Sequence, residues 1–129
     1  MSVDAGGGWT QGPVKREDLT VIAQSSAGFF PGRLADFLSI RGAKMTKGHL
    51  SVVAYEGDVA LMFETLEAGI THVIPQQDLL RVGKVKGGLN TIVDVVGHTP
   101  DHDGDWTLCF VGPRGRMRKI FAGVGHPLT

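Results

Sequence analysis

The sequence has a single cysteine, Cys109. That excludes an internal disulfide framework and points to a reducing, cytoplasmic setting. It has no surplus of charge: 13 basic and 13 acidic residues cancel. A generic polyanion binder is therefore disfavoured, although a local patch stays open. No apolar run approaches the ~18 residues that a membrane helix needs, so no transmembrane segment is expected. Residues 1–9 carry neither the basic nor the apolar region of a secretory leader. Catalytic signatures are missing as well: there is no G-x-S-x-G elbow, no Walker loop, no dinucleotide fingerprint and no Cys-x-x-Cys pair. Aromatic residues are scarce, at 7%, which leaves little for base stacking on a nucleic-acid face.

What the sequence does have is glycine, 19 residues of 129, set between short apolar runs. A chain of this length suits one domain and buries roughly two-thirds of its unfolded surface. Residues 48–96 hold the clearest pattern. Leu50, Val52 and Val53 precede a Glu56-Gly57-Asp58 turn, and Val59, Leu61, Met62 and Phe63 follow it. Ile70, Val73 and Ile74 form a second run, stopped by Pro75 and the turn Gln76-Gln77-Asp78. A third hairpin pivots on Gly87-Gly88 between residues 79–86 and 89–96. Such runs, rich in Val and Ile and bounded by Gly or Pro, read as strands. Trp106, Leu108 and Phe110 alternate on a further strand. After Gly112-Pro113-Arg114-Gly115, residues 116–122 read as a last strand, although Met117, Ile120 and Phe121 also fit a short helix stopped by Gly123.

Upstream, residues 1–13 read as a flexible arm, with Trp9 free to dock on the domain or on a partner. Leu19 to Ile22 favour a strand over a helix, and residues 25–32 read as a loop from their composition. Residues 33–41 are the best helix: Leu34, Phe37 and Leu38 share one face, and Gly42 stops it. The expected architecture is mainly β (α+β): one small antiparallel barrel or sandwich of about seven strands over residues 14–123, with one short N-terminal helix and a tail at 124–129. The expected core is Val53, Leu61, Phe63, Val73, Ile92, Val95, Leu108, Phe110 and Phe121.

Three features carry a resemblance. They are the hairpin opening at Leu50 and closing at Phe63, the phrase Val73-Ile74-Pro75-Gln76-Gln77-Asp78-Leu79-Leu80-Arg81-Val82, and the closing hairpin between Trp106 and Phe121. Together they resemble the pleckstrin-homology-like and GRAM-type small barrels over just over half the chain. The resemblance implies binding to lipids, peptides or proteins rather than catalysis. One departure stands out. That family closes a barrel mouth with a long C-terminal helix, whereas here the helix at 33–41 would have to cover it.

Two clusters bear chemistry. The loop 98–105 gathers His98, Asp101, His102, Asp103 and Asp105. Carboxylates suit Ca²⁺ or Mg²⁺ and imidazoles suit Zn²⁺, yet the spacing fits neither an EF-hand nor a zinc pattern, and a solvated turn is the favoured explanation. Arg114, Arg116, Arg118 and Lys119 form the basic cluster. On a strand, the three arginines would project to one side as forks for phosphate, joined by Arg81, Lys84 and Lys86 if the strands were neighbours. A charged edge kept soluble explains the same residues. His49, His72 and His126 read as structural or tail residues, and Cys109 as an inert core residue.

Three functions follow. The first is a non-enzymatic binding or protein-interaction module of unknown ligand. The second is a binder of nucleic acid or of a phosphate-bearing ligand through the 114–119 strand. The third is a small metal-assisted hydrolase using the 98–105 loop. The reading leans away from an enzyme and implies no cofactor. Its expected partner is a protein or a phosphate-bearing ligand, with nucleic acid less favoured and self-association left open.

Overall fold

A computed structural model describes residues 19–55, 57–66, 71–86, 88–99 and 103–128. Its elements are β1 (Leu19–Phe30), α1 (Leu34–Ser39), β2 (Thr46–Tyr55), β3 (Asp58–Thr65), β4 (Thr71–Pro75), a 3₁₀ turn at Gln76–Asp78, β5 (Leu79–Lys86), β6 (Asn90–Gly97), β7 (Trp106–Pro113) and α2 (Arg114–Gly123). The fold is mainly β, one seven-stranded sheet in the order β4-β3-β2-β1-β7-β6-β5 with two helices. Every neighbouring pair is antiparallel. The chain thus draws two meanders, and β7 returns to lie against β1. Among the described residues, no helix is long and apolar enough to cross a membrane.

β1 joins the two meanders. It pairs with β2 along its length but meets β7 only from Gly28 to Phe30. The segment 25–32, expected to be a loop, is largely strand. Small residues there misled the composition argument: Ser25, Ala27 and Gly28 sit opposite Leu50, Gly48 and Lys47 of β2, and pairing with a neighbour outweighs intrinsic preference. An irregularity between Val21 and Ala23 resets the alternation. Beyond it Ala27 and Phe29 turn to the core.

One large core cluster draws on all seven strands and α2. It includes Phe29, Leu50, Phe63, Ile74, Leu79, Val95, Leu108, Phe110 and Phe121. Three phenylalanines form its centre: the Phe29 ring lies 5.2 Å from Phe63 and 5.5 Å from Phe110, and Phe63 and Phe110 are 5.8 Å apart. These are tilted contacts at favourable aromatic spacing. A second cluster, Val53, Ala60, Met62 and Val73, occupies the other face of β2, β3 and β4, so β3 is buried on both faces over Ala60–Phe63. Of the expected core, only Ile92 is corrected. It is half-buried, and the inward residues of β6 are Thr91, Val93 and Val95. Ile92 and Val95 stand an odd number of positions apart, and strand alternation sends them to opposite faces.

The helices differ most from expectation. α1 is shorter than residues 33–41, and its shared Leu34/Phe37/Leu38 face is not buried together. Leu34 is buried, Phe37 leans edge-on against Phe30 at 5.2 Å, and Leu38 is 72% exposed. The stretch 116–122 is helix, not strand, because Met117, Ile120, Phe121 and Val124 recur at helical spacing and all are buried. A strand would have turned Lys119 inward with Met117 and Phe121. Pro113 precedes the helix at φ −58°. The helix runs to Gly123, and the turn that closes it has its left-handed residue at Gly125, whose φ of 84° suits glycine. Gly125 N–H donates to Ala122 O and His126 N–H to Phe121 O, the paired closure of a Schellman turn. α2, rather than α1, therefore packs against β1, β2 and β7 and completes the core.

Candidate ligand-binding grooves

Two open grooves of about 340 Å³ each lie on the described surface. The first sits where β1 and β7 part, and Gln24, Ser26, His49, Pro113 and Arg116 line it. β1 leaves backbone groups without a strand partner here. Arg116 Nη1 donates to Gln24 O at 3.1 Å, and Gln24 Nε2 donates to Ser51 Oγ at 2.9 Å. The polar groups of this corner largely satisfy one another.

The second groove lies on the face of β5, β6 and β7 away from the core, beside the start of α1. Val93, Val95, Leu108 and Phe110 point inward, so Asp94, Val96 and Thr107 point outward by alternation. They line the groove with Arg81, Gly83, Lys84, Val85 and Arg33. Gly83 stands opposite Asp94 in the ladder, and a Cβ there would meet nothing within 4 Å. The groove is therefore open above that pair.

Asp94 is the hub of this second groove. Its Oδ1 accepts the Leu34 backbone N–H at 3.0 Å, which fastens α1 to the sheet. It also lies beside Cys109. Burial pushes the Cys109 thiol up to about 12, and the Asp94 charge and the thiol's hydrogen bond to that carboxylate add to the effect. Cys109 is thus fully buried and unreactive. Arg33 precedes α1 and pairs with Asp36. The Arg33 N–H donates to Asp36 Oδ2 at 3.1 Å and its Nε lies 3.4 Å from the same oxygen. Donation from that backbone N–H, then from the guanidinium, holds the Asp36 carboxyl below the usual carboxylate range. Arg81 and Lys84 are exposed. They have no ion-pair partner among the described residues.

The residues singled out from the sequence fall in two other places. Arg114, Arg116, Arg118 and Lys119 lie on α2, not on a strand, and so do not share one side. At 100° per residue, Arg114 and Arg118 occupy one flank, while Arg116 turns to the opposite flank toward β1. Nor do Arg81 and Lys84 join them, since β5 and α2 lie at different parts of the sheet order. In the loop, His98 Nδ1 lies 3.4 Å from Asp105 Oδ1, both side chains being about half exposed. Asp103 is exposed, and Asp101 and His102 lie outside the described residues. Among the described residues, no group of three His, Cys, Asp or Glu side chains is placed to hold a metal ion. The loop's base is structural. Trp106 Nε1 donates to Thr99 Oγ1 at 2.9 Å, and His98 N–H donates to Asp78 O at 2.8 Å. Asp78 is itself buried. Burial raises its pKa, and the neighbouring His98 partly offsets that.

Sequence reasoning missed the groove. Arg33 and Arg81 are far apart in the chain, and only the return of the second meander brings them together. One signal was present: Asp94, a lone carboxylate inside the apolar run from Ile92 to Val96, needs a partner wherever the strand is packed. Compared with protein-family models and with curated proteins, the sequence matches none.

Proposed function

We propose that this domain is a non-enzymatic binding module built on a small, partly open β-barrel of the pleckstrin-homology-like kind. The observation that carries the reading is the filled interior. One cluster takes residues from all seven strands and from α2, with the Phe29, Phe63 and Phe110 rings at its centre. A sheet whose edge strands β4 and β5 both feed one core is folded back over that core, as a partly open barrel requires. A filled interior leaves ligands to the surface grooves. The packing of α2 across β1, β2 and β7 supports the reading, because a helix laid on the sheet is what such a barrel would use to cover its core.

The test is an amide NMR titration of the labelled domain against phosphate monoesters, a short single-stranded oligonucleotide and acidic peptides. The reading expects saturable shifts at surface residues with at least one probe, while the Phe63, Leu108 and Phe110 amides stay in place. A parallel assay with p-nitrophenyl esters and added Zn²⁺ or Mn²⁺ should show no turnover above the metal alone. Turnover abolished by His98→Ala or Asp105→Asn would overturn the reading in favour of a hydrolase.

A further inference from the structure

The first half of β1 has a strand on one side only. β1 pairs with β2 from Leu19 to Phe29, but it meets β7 only from Gly28 to Phe30. Arg116 reaches across to Gln24 O and closes part of the gap. Among the described residues, no strand pairs with the other edge of residues 19–23. We infer that this edge is a self-association site, where β1 of a second copy of the chain adds antiparallel to it. The inference goes beyond the binding-module reading and does not depend on it.

An open strand edge is a template for another strand, and sheets commonly blunt it with charge, proline, brevity or bulges. The two outer edges of this sheet are blunted in those ways. β4 has five residues and ends at Pro75. β5 carries Arg81 and Lys84 and has two irregularities in its pairing. β1, by contrast, runs for 12 residues without a charged side chain or a proline. Thr20, Val21 and Ile22 are consecutive and all exposed, Val21 by 42% and Ile22 by 52%. Ile22 is the residue that the pairing with β2 passes over. The single irregularity of β1 thus holds a β-branched apolar side chain out in solvent. Such side chains pack well across paired strands.

The partner that fits this edge is the same chain. Antiparallel addition about a two-fold axis near Val21 sets Thr20 beside the partner's Ile22 and Leu19 beside the partner's Ala23. No like charges meet, because none of these side chains is charged. The same operation about the middle of β5 would set Arg81 against a second Lys84 and repel. The chain carries no net charge, so two copies approach without long-range repulsion. The arrangement closes at two copies, since each free edge is then used. An interface confined to residues 19–23 is small, so the dimer is weak and depends on concentration.

The test uses the whole chain with no added ligand. Sedimentation velocity and amide NMR are recorded from about 10 μM to about 1 mM protein. The wild type should pass from monomer to dimer over that range and stop there. The amides of residues 20–23 should shift and gain exchange protection along with it. Val21→Lys with Ile22→Lys brings like charges to the two-fold axis and should weaken dimerisation by about tenfold or more. Ile22→Lys alone should weaken it in the same direction. Both variants should melt near the wild type in dilute solution, because the two positions are exposed. Leu89→Lys, at a side chain 94% exposed elsewhere on the surface, should leave dimerisation unchanged. A wild type that stays monomeric at the highest concentration overturns the inference, and so does a dimer that both β1 variants form as readily. Protection of residues 20–23 that does not change with concentration overturns it as well, since the edge would then be covered within one chain. None of these outcomes bears on the binding-module reading, whose titration is scored on added probes.

Discussion

The backbone N–H of Leu34 donates to the carboxylate of Asp94 at 3.0 Å, joining residues 60 positions apart in the chain. This bond ties α1 to the outward face of β6. A helix of six residues has almost no stability of its own, and of its residues only Leu34 is buried. Replacing Asp94 with Ala leaves a partly buried donor without its acceptor. Stability should fall by about 1–3 kcal/mol, and amide exchange across 34–39 should accelerate. Asp94→Asn keeps an acceptor oxygen and should retain most of the protection. Unchanged exchange in Asp94→Ala would mean that Leu34 packing alone seats the helix.

A second prediction concerns Gly97 and Trp106, which face each other across β6 and β7. A Cβ at Gly97 would land on the Trp106 ring and lie 2.7 Å from Asp78 O. The indole cannot simply swing away, because its N–H is held by Thr99 Oγ1. Gly97→Ala should therefore act as overpacking and cost about 1–3 kcal/mol. Urea denaturation would check it, and a variant as stable as wild type would show that this end of β6 yields easily.

The Cys109 thiol sets a pH dependence. Its ordinary value is 9.0, and in the fold it is pushed to about 12, first by burial and then by Asp94. Between those values the unfolded chain loses the thiol proton while the folded chain keeps it. The unfolded state then binds fewer protons, so this group's contribution to stability is intact below pH 9 and falls as pH rises toward 12. Urea midpoints compared at about pH 8 and about pH 11 should drop more in the wild type than in Cys109→Ala. Equal drops would show that other groups govern alkaline unfolding. Thiol reagents should label Cys109 only as fast as the domain opens.

Much of the sheet was legible because its alternation is local. Leu61, Phe63, Leu108 and Phe110 declare their inward faces within one strand, and Pro75 declares where β4 stops. What was illegible depended on partners elsewhere. Ser25 to Phe30 look like a loop until β2 is laid beside them. α2 was misread because Arg114, Arg116 and Arg118 alternate as a strand would, while the apolar spacing of Met117, Ile120, Phe121 and Val124 is helical. Where the two patterns conflict, the apolar one decides, since burying those four side chains is worth several kcal/mol and exposed charges are worth far less. The groove beside α1 was illegible for the same reason at longer range. Arg33, Arg81 and Asp94 come to line one groove only once β5, β6 and the connection between β1 and β2 are adjacent.

The last prediction separates the roles of two arginines on one helix. Arg116 donates to Gln24 O at the corner where β1 has left β7. Arg118 lies on the exposed side of α2 with no hydrogen bond or ion pair among the described residues. The carbonyl at Gln24 reaches solvent, so water replaces part of what is lost. Arg116→Ala should cost about 0.5–1.5 kcal/mol, a single net hydrogen bond, and Arg118→Ala should stay within about 0.5 kcal/mol. The reading of this segment as a charged strand predicts nothing of the kind, since alternating exposed arginines would be interchangeable. Chemical denaturation of the two variants and the wild type in one buffer decides it. Local amide exchange at Gln24 and Ser25 adds a second readout: it should quicken in Arg116→Ala alone. Equal costs with unchanged exchange at β1 would mean that the Arg116 contact contributes nothing to holding β1 and α2 together.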